Sequence, residues 1–130
     1  MARILLIDDD GPIRNMLGVL LKRFGHTVIP ACDGQEGLEM FPFVGADLVI
    51  TDMVMPKKGG LDVIRELKGK HPLVKVIAMS GGGAFGETHP LDTALQLGVN
   101  RAINKPFSGD HFMAAVNEVL AGAATGSLAG

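Results

Sequence analysis

The sequence predicts a doubly wound α/β domain: a five-stranded parallel sheet in the order 2-1-3-4-5, with helices on both faces. Three observations carry this. Short apolar runs alternate five times with stretches of helical periodicity, the links between them are short, and the second run contains a proline that suits only a sheet edge. Right-handed crossovers then put helices on both faces. With the second strand at the edge, the first and third lie side by side where the winding reverses, and ligands bind at such a point.

The first run, Arg3-Ile4-Leu5-Leu6-Ile7, delivers Asp8, Asp9 and Asp10. Pro12 suits a first helical turn capped by Asp10 or Gly11. Ile13, Met16, Leu17, Leu20 and Phe24 then recur at three- and four-residue steps, an apolar face that Gly25 closes. Thr27 to Ala31, with Pro30, is the edge strand, and Asp33-Gly34 opens a short second helix that Gly37 and Pro42 should limit to about Phe41. Asp47-Leu48-Val49-Ile50-Thr51-Asp52 reads as a buried central strand ending in a carboxylate, and Lys57-Lys58-Gly59-Gly60 as a flexible, solvated loop. Leu61, Ile64 and Leu67 mark a third helix ending near His71-Pro72, and Leu73 to Met79 a fourth strand ending at Ser80. The glycine-rich residues 81–86 predict a mobile loop, and a fourth helix is expected from near His89-Pro90 to Gly98. The fifth strand delivers Lys105-Pro106, and Ser108 caps a last helix with Phe112, Ala115, Val116, Val119 and Leu120 inward. One domain is expected over residues 1–121, followed by a disordered tail or linker stump over 122–130.

The totals exclude several classes. The chain has 130 residues, a formal net charge of −2 and 47% hydrophobic residues, enough for one domain with a real core. That balance is no nucleic-acid footprint, and no apolar run approaches the ~18 residues of a membrane span. Met1-Ala2-Arg3 runs straight into a strand rather than a signal peptide, and the single cysteine, Cys32, suits a reducing cytoplasm. His26, His71, His89 and His111 share no metal-ligand spacing and are expected as surface or capping residues.

The chemistry lies at the strand ends. If the strands neighbour one another as predicted, Asp8, Asp9, Asp52 and Lys105 converge on one pocket with Ser80 beside it. Carboxylates so close repel unless a cation joins them, and Mg²⁺ is the usual hard partner where phosphate is involved. A carboxylate can also attack phosphorus, which makes Asp52 a candidate phosphoacceptor, with Lys105 and the Ser80 hydroxyl for the phosphoryl oxygens. Each residue has a plainer reading: helix capping for the Asp8–Asp10 triplet, a turn for Asp52, a solvated lysine, a loop-opening serine. Met53 and Met55 beside the pocket suit an apolar contact for an incoming phosphodonor helix, or simple loop packing.

Four motifs in order carry a resemblance. Ile4-Leu5-Leu6-Ile7-Asp8-Asp9-Asp10 with Ile13-Arg14, Asp47 to Pro56 with Gly59-Gly60-Leu61, Val76-Ile77-Ala78-Met79-Ser80, and Lys105-Pro106-Phe107 together resemble a response-regulator receiver domain of two-component signalling, over residues 2 to 121. The resemblance implies the flavodoxin/CheY-like (βα)5 fold, with Asp52 as phosphoacceptor and Asp9 as a direct Mg²⁺ ligand. It also implies Asp8 acting through water, the Val54 backbone carbonyl as a further ligand, Ser80 and Lys105 on the phosphoryl oxygens, and a cis Lys105-Pro106 peptide. The implied donor is a histidine kinase or histidine phosphotransfer protein; self-catalysed transfer to Asp52 and autodephosphorylation are expected, with an output by altered docking. No nucleic acid is expected to bind through this domain, and no membrane. The sequence departs from the family at Ala102, where such domains usually carry Tyr or Phe, and at Gly81 after Ser80, so an induced change is expected to run through residues 81–88 and the fourth helix.

Two rivals remain. Ile7-Asp8-Asp9-Asp10-Gly11 also resembles the start of haloacid-dehalogenase-type phosphatases, with Asp8 as nucleophile and Asp10 as acid/base. A pseudo-receiver that never takes phosphate would be a pure binding module.

Overall fold

The computed structural model describes residues 1–55, 58–80 and 94–128. Strands β1 (Arg3–Ile7), β2 (Thr27–Ala31), β3 (Leu48–Asp52), β4 (Val76–Ser80) and β5 (Arg101–Asn104) form one parallel sheet ordered β2-β1-β3-β4-β5. Helices α1 (Gly11–Arg23), α2 (Gly34–Val44), α3 (Gly60–Lys70) and α4 (Gly109–Leu128) pack around it. The expected loop at 81–86 and the start of the helix expected near His89 lie outside the described residues. The end of that helix is present at residues 94–96, and Gly98 turns the chain with φ 95.

Alternation along the strands builds two cores. Ile4, Leu6, Leu48, Ile50, Ile77 and Met79 meet α1 and α4 on one face, through residues such as Leu17, Leu21, Phe112 and Val116. Leu5, Ile7, Val49, Val76 and Ala78 meet the other face, with Val63, Ile64 and Leu67 of α3. Burial on both faces explains why β1, β3 and β4 read as unbroken apolar runs. Pro30 falls on edge strand β2, as expected.

Helix α1 differs from expectation in its inward face. Leu17, Gly18 and Leu21 are buried, whereas Met16 is 58% and Phe24 55% exposed. An apolar stripe running from Ile13 to Phe24 spans more arc than one sheet face covers, so its flanks stay wet. Asp10 is the N-cap, accepting the Ile13 N–H at 3.1 Å, and Gly25 turns the chain with φ 89. Likewise the Ser108 hydroxyl accepts the His111 N–H at the start of α4.

Two breakers act differently from expectation. Pro42 lies inside α2, which continues to Val44 before Gly45 (φ 62) ends it. The fixed φ of proline is itself helical, and at this position its cost is the one N–H bond that the Leu38 carbonyl would otherwise accept. Gly37 is a packing residue: a Cβ there would lie 2.4 Å from Ile7 Cδ1. The fourth strand begins at Val76 rather than Leu73, which is exposed in the turn closed by Val74 N–H to the His71 carbonyl. The fifth strand ends at Asn104. Helix α4 has helical backbone as far as Leu128 except at Gly122 (φ 144, ψ 56), where its axis breaks.

Of the expected surface histidines, His26 accepts the Ala2 N–H at 3.1 Å and His71 packs against the Phe41 ring at 4.8 Å. Desolvation lowers the His26 pKa, with the N-terminal charge adding to it. His89 lies outside the described residues.

Gly59 and Gly60, expected in a flexible loop, form the N-cap and first residue of α3. Gly60 is wedged under the end of β3: a Cβ there would stand 2.5 Å from the Asp52 carbonyl oxygen and 2.7 Å from Met53 Cα. Glycine to alanine in a helix ordinarily gains about 1 kcal/mol. At Gly60 the clash is with backbone that cannot give way, so the sign reverses. Gly60→Ala should lose about 1–3 kcal/mol in a urea titration followed by circular dichroism; unchanged or raised stability would contradict this packing.

Candidate functional site

The sheet register brings the acids together. Ile7 of β1 pairs with Thr51 of β3, so Asp8 and Asp52 leave adjacent strands at the same level. Asp8 is fully buried and held from two sides: Oδ1 accepts the Asp10 N–H at 3.0 Å, and Oδ2 lies 3.2 Å from Lys105 Nζ. Asp52 is 7% exposed, and its Oδ1 accepts the Met53 N–H at 3.0 Å. Lys105 Nζ lies 3.5 Å from the same Asp52 oxygen. The main chain of the third acid is placed by the turn between β1 and α1. Asp8, Asp9 and Asp52 each offer one carboxylate oxygen, and these oxygens lie within 4.8 Å of one another.

Lys105 reaches this cluster across the end of β4. Ser80 pairs with Asn104, and the Lys105 N–H donates to the Ser80 carbonyl at 2.7 Å. The Lys105-Pro106 peptide is cis. Ser80 is fully buried at the last position of β4, next to the strand that carries Asp52. Val54, two residues past Asp52, exposes its side chain. Met53 is only 5% exposed and packs into the α3-side core, so it offers no docking surface; Met55 is half-buried against the same core. Ala102 pairs with Ala78 and packs on that core, a small side chain on a strand that elsewhere borders the pocket.

The electrostatics are unbalanced. Three carboxylates face one ammonium. Burial pushes the Asp52 pKa up to about 6, the Asp8 charge adds to the rise, and Lys105 opposes it. An oxygen-rich cluster with excess negative charge and a partly exposed member fits a hard divalent cation of the Mg²⁺ type. The third acid of the triplet stands apart: the Asp10 carboxylate is spent capping α1, which removes it from the acid/base position that the phosphatase reading requires.

Two contributors escaped the sequence reading. Arg14 Nη1 donates to the Asp8 backbone carbonyl at 2.7 Å, a role that its place in the motif does not mark. A cation one turn past an N-cap, beside the inward Ile13 and Leu17, is the signal that could have found it. Gly60, expected in a loop, starts α3; a glycine at a helix start following an acid-ended strand marks close approach of backbone.

The protein is thus a doubly wound sheet with acids and a lysine gathered at the carboxyl ends of β1, β3 and β5. The chain belongs to the response regulator receiver domain family of two-component signalling, whose model matches residues 4–117. It is 37% identical over 118 residues to a probable transcriptional regulator, ycf27, of Porphyridium aerugineum, covering 91% of this chain and 48% of that protein. It is 31% identical over 120 residues to the transcriptional regulatory protein CpxR of Escherichia coli K12, covering 92% of this chain and 50% of the relative. The chain therefore spans about half the length of these curated relatives. The crystal structure of a response regulator receiver domain protein from Clostridium thermocellum superposes with a TM-score of 0.84 at 33% identity, over 93% of this chain and 95% of that one.

A raised Asp52 pKa means that the folded chain binds more protons than the unfolded chain between pH 3.8 and about 6. The stability contributed by this group therefore falls as pH rises through that window. In EDTA at pH 7, Asp52→Asn should be more stable than the wild type by about 1–3 kcal/mol, because it removes a buried charge that Lys105 only partly offsets. The advantage should vanish near pH 4, and urea titrations at the two pH values check both parts.

Proposed function

We propose that Asp52 accepts a phosphoryl group from a histidine kinase or a histidine phosphotransfer protein, and that the phosphorylated domain signals by altered docking. The observation that carries this reading is the placement of a buried carboxylate, Asp52, 3.5 Å from Lys105 and within reach of two further acids at the switch point of the sheet. In the proposed transfer an Asp52 carboxylate oxygen attacks phosphorus, the bond from phosphorus to the donor imidazole nitrogen breaks, and the imidazole leaves with the electron pair and takes up a proton. Lys105 is the compact cation for the phosphoryl oxygens, and Ser80 is the candidate hydroxyl donor to another of them. Asp8, Asp9, Asp52 and the Val54 backbone carbonyl would hold Mg²⁺, which supplies charge neutralisation for both the carboxylates and the incoming phosphoryl group.

An apolar hollow lined by Ile13, Met16, Pro106 and Phe107 opens beside Lys105 and supports a macromolecular phosphodonor over a small one. Among the described residues no helix is long and apolar enough to cross a membrane, and the reading places the domain in the cytoplasm, where such donors act. Residues 1–121 form the phosphoaccepting unit in this proposal.

Incubation with acetyl phosphate and Mg²⁺ should add one phosphoryl group, about 80 Da by mass spectrometry, with rapid loss on standing as expected of an acyl phosphate. Asp52→Asn should abolish the label, and Lys105→Ala should slow it by roughly 10²-fold or more. A label that survives Asp52→Asn but not Asp8→Asn would return the phosphatase reading, and an unlabelled wild type would return the binding module.

A further inference from the structure

We propose that Arg14 is a positioning residue for the acid pair Asp8–Asp9: its guanidinium holds the peptide that joins them and so sets the affinity of the site for a divalent cation. This rests on the reading of Asp8, Asp9 and Asp52 as a cation site.

The Asp8 carbonyl belongs to the planar unit between the two acids. Arg14 Nη1 donates to its oxygen at 2.7 Å. Pinning that oxygen restricts ψ of Asp8 and φ of Asp9 together, and so the direction in which the Asp9 side chain leaves the main chain. Asp8 needs little such help, because the Asp10 N–H and Lys105 already hold its carboxylate. Asp9 differs. It is exposed, and among the described residues no hydrogen bond or ion pair holds its carboxylate. Its approach to within 4.8 Å of the other two acids therefore depends on its backbone.

Arg14 is itself preset. Its N–H donates to the Asp10 carbonyl at 2.8 Å, in a first turn anchored by the Asp10 cap. Ile13 packs against the core on one side and Leu17 is buried one turn on. The half-buried guanidinium lies across Gly11, where a Cβ would stand 3.7 Å from Nη2. A rigid planar fork on a fixed helical turn is suited to hold one carbonyl in place.

The sign of the effect separates positioning from charge. Arg14 is a cation near a cation site, so by electrostatics alone its removal would tighten Mg²⁺ binding. By positioning, removal weakens it. Calorimetric titration of the metal-free protein with MgCl₂ should show about tenfold weaker binding for Arg14→Gln, the scale of outer-sphere supports of metal ligands. Arg14→Lys, which keeps a donor on a flexible stem, should fall between the two. In an Asp9→Asn background Arg14→Gln should cost no further affinity, a non-additivity that general destabilisation would not produce. Equal or tighter Mg²⁺ binding by Arg14→Gln, or additivity with Asp9→Asn, overturns the inference while leaving the site intact. A wild type that takes up no Mg²⁺ overturns the cation site and this inference with it.

Discussion

The structure depends on one constraint: two carboxylates, Asp8 and Asp52, are held almost out of water at the ends of adjacent strands, with one lysine between them. Left unpaired, two such charges would drive one acid to protonate or the strand ends apart. Burial holds the Asp52 carboxyl well above the usual carboxylate range, and Lys105, close to both acids, offsets that and the Asp8 charge only in part. The site is therefore poised to take up positive charge, whether as a proton or as a metal ion.

The rest of the fold keeps that arrangement from relaxing. β1 and β3 are buried on both faces, so neither strand can slide without exposing one core or opening the other. Gly60 lets α3 begin directly beneath Asp52, with its N–H on the Met53 carbonyl at 3.1 Å, while the Met53 N–H itself is held by both the Met79 carbonyl and the Asp52 carboxylate. Gly37 allows α2 to approach Ile7, the residue that precedes the acids. Rigidity reaches the pocket through these glycines, positions at which the chain packs backbone against backbone or against a core side chain. Arg14 adds the same kind of restraint from the α1 side.

Much of this was legible in residue order. Strand content, edge placement of Pro30 and the order 2-1-3-4-5 follow from runs of apolar residues and short links, and the structure has that order. The convergence of Asp8, Asp9, Asp52 and Lys105 followed from the order, because parallel strands deliver their carboxyl ends to one edge. What was not legible depends on neighbours in space. Periodicity marked Met16 and Phe24 as inward, but only the width of the sheet face decides which flank of a broad stripe is covered. Pro42 and Gly37 were read from local propensity, and tertiary packing overrode it at both. Arg14 was invisible as a contributor because its partner is a backbone carbonyl, which every residue carries and no pattern distinguishes.

The lysine geometry bears on how a phosphorylated state could differ from this one. Charge-assisted N–H to carboxylate bonds settle near 2.7–2.9 Å as a rough norm. Lys105 stands 3.2 Å from Asp8 and 3.5 Å from Asp52, longer than that norm to both. A bridging ammonium that satisfies neither partner fully loses little by turning to a third, more highly charged one. In the proposed reaction a phosphoryl group on Asp52 is that third partner, and it would draw Lys105 away from Asp8. Lys105 is tied by its N–H to the carbonyl of Ser80, so a turn of its side chain acts against the end of β4. Ala102 on the adjoining strand is too small to swing between buried and exposed states.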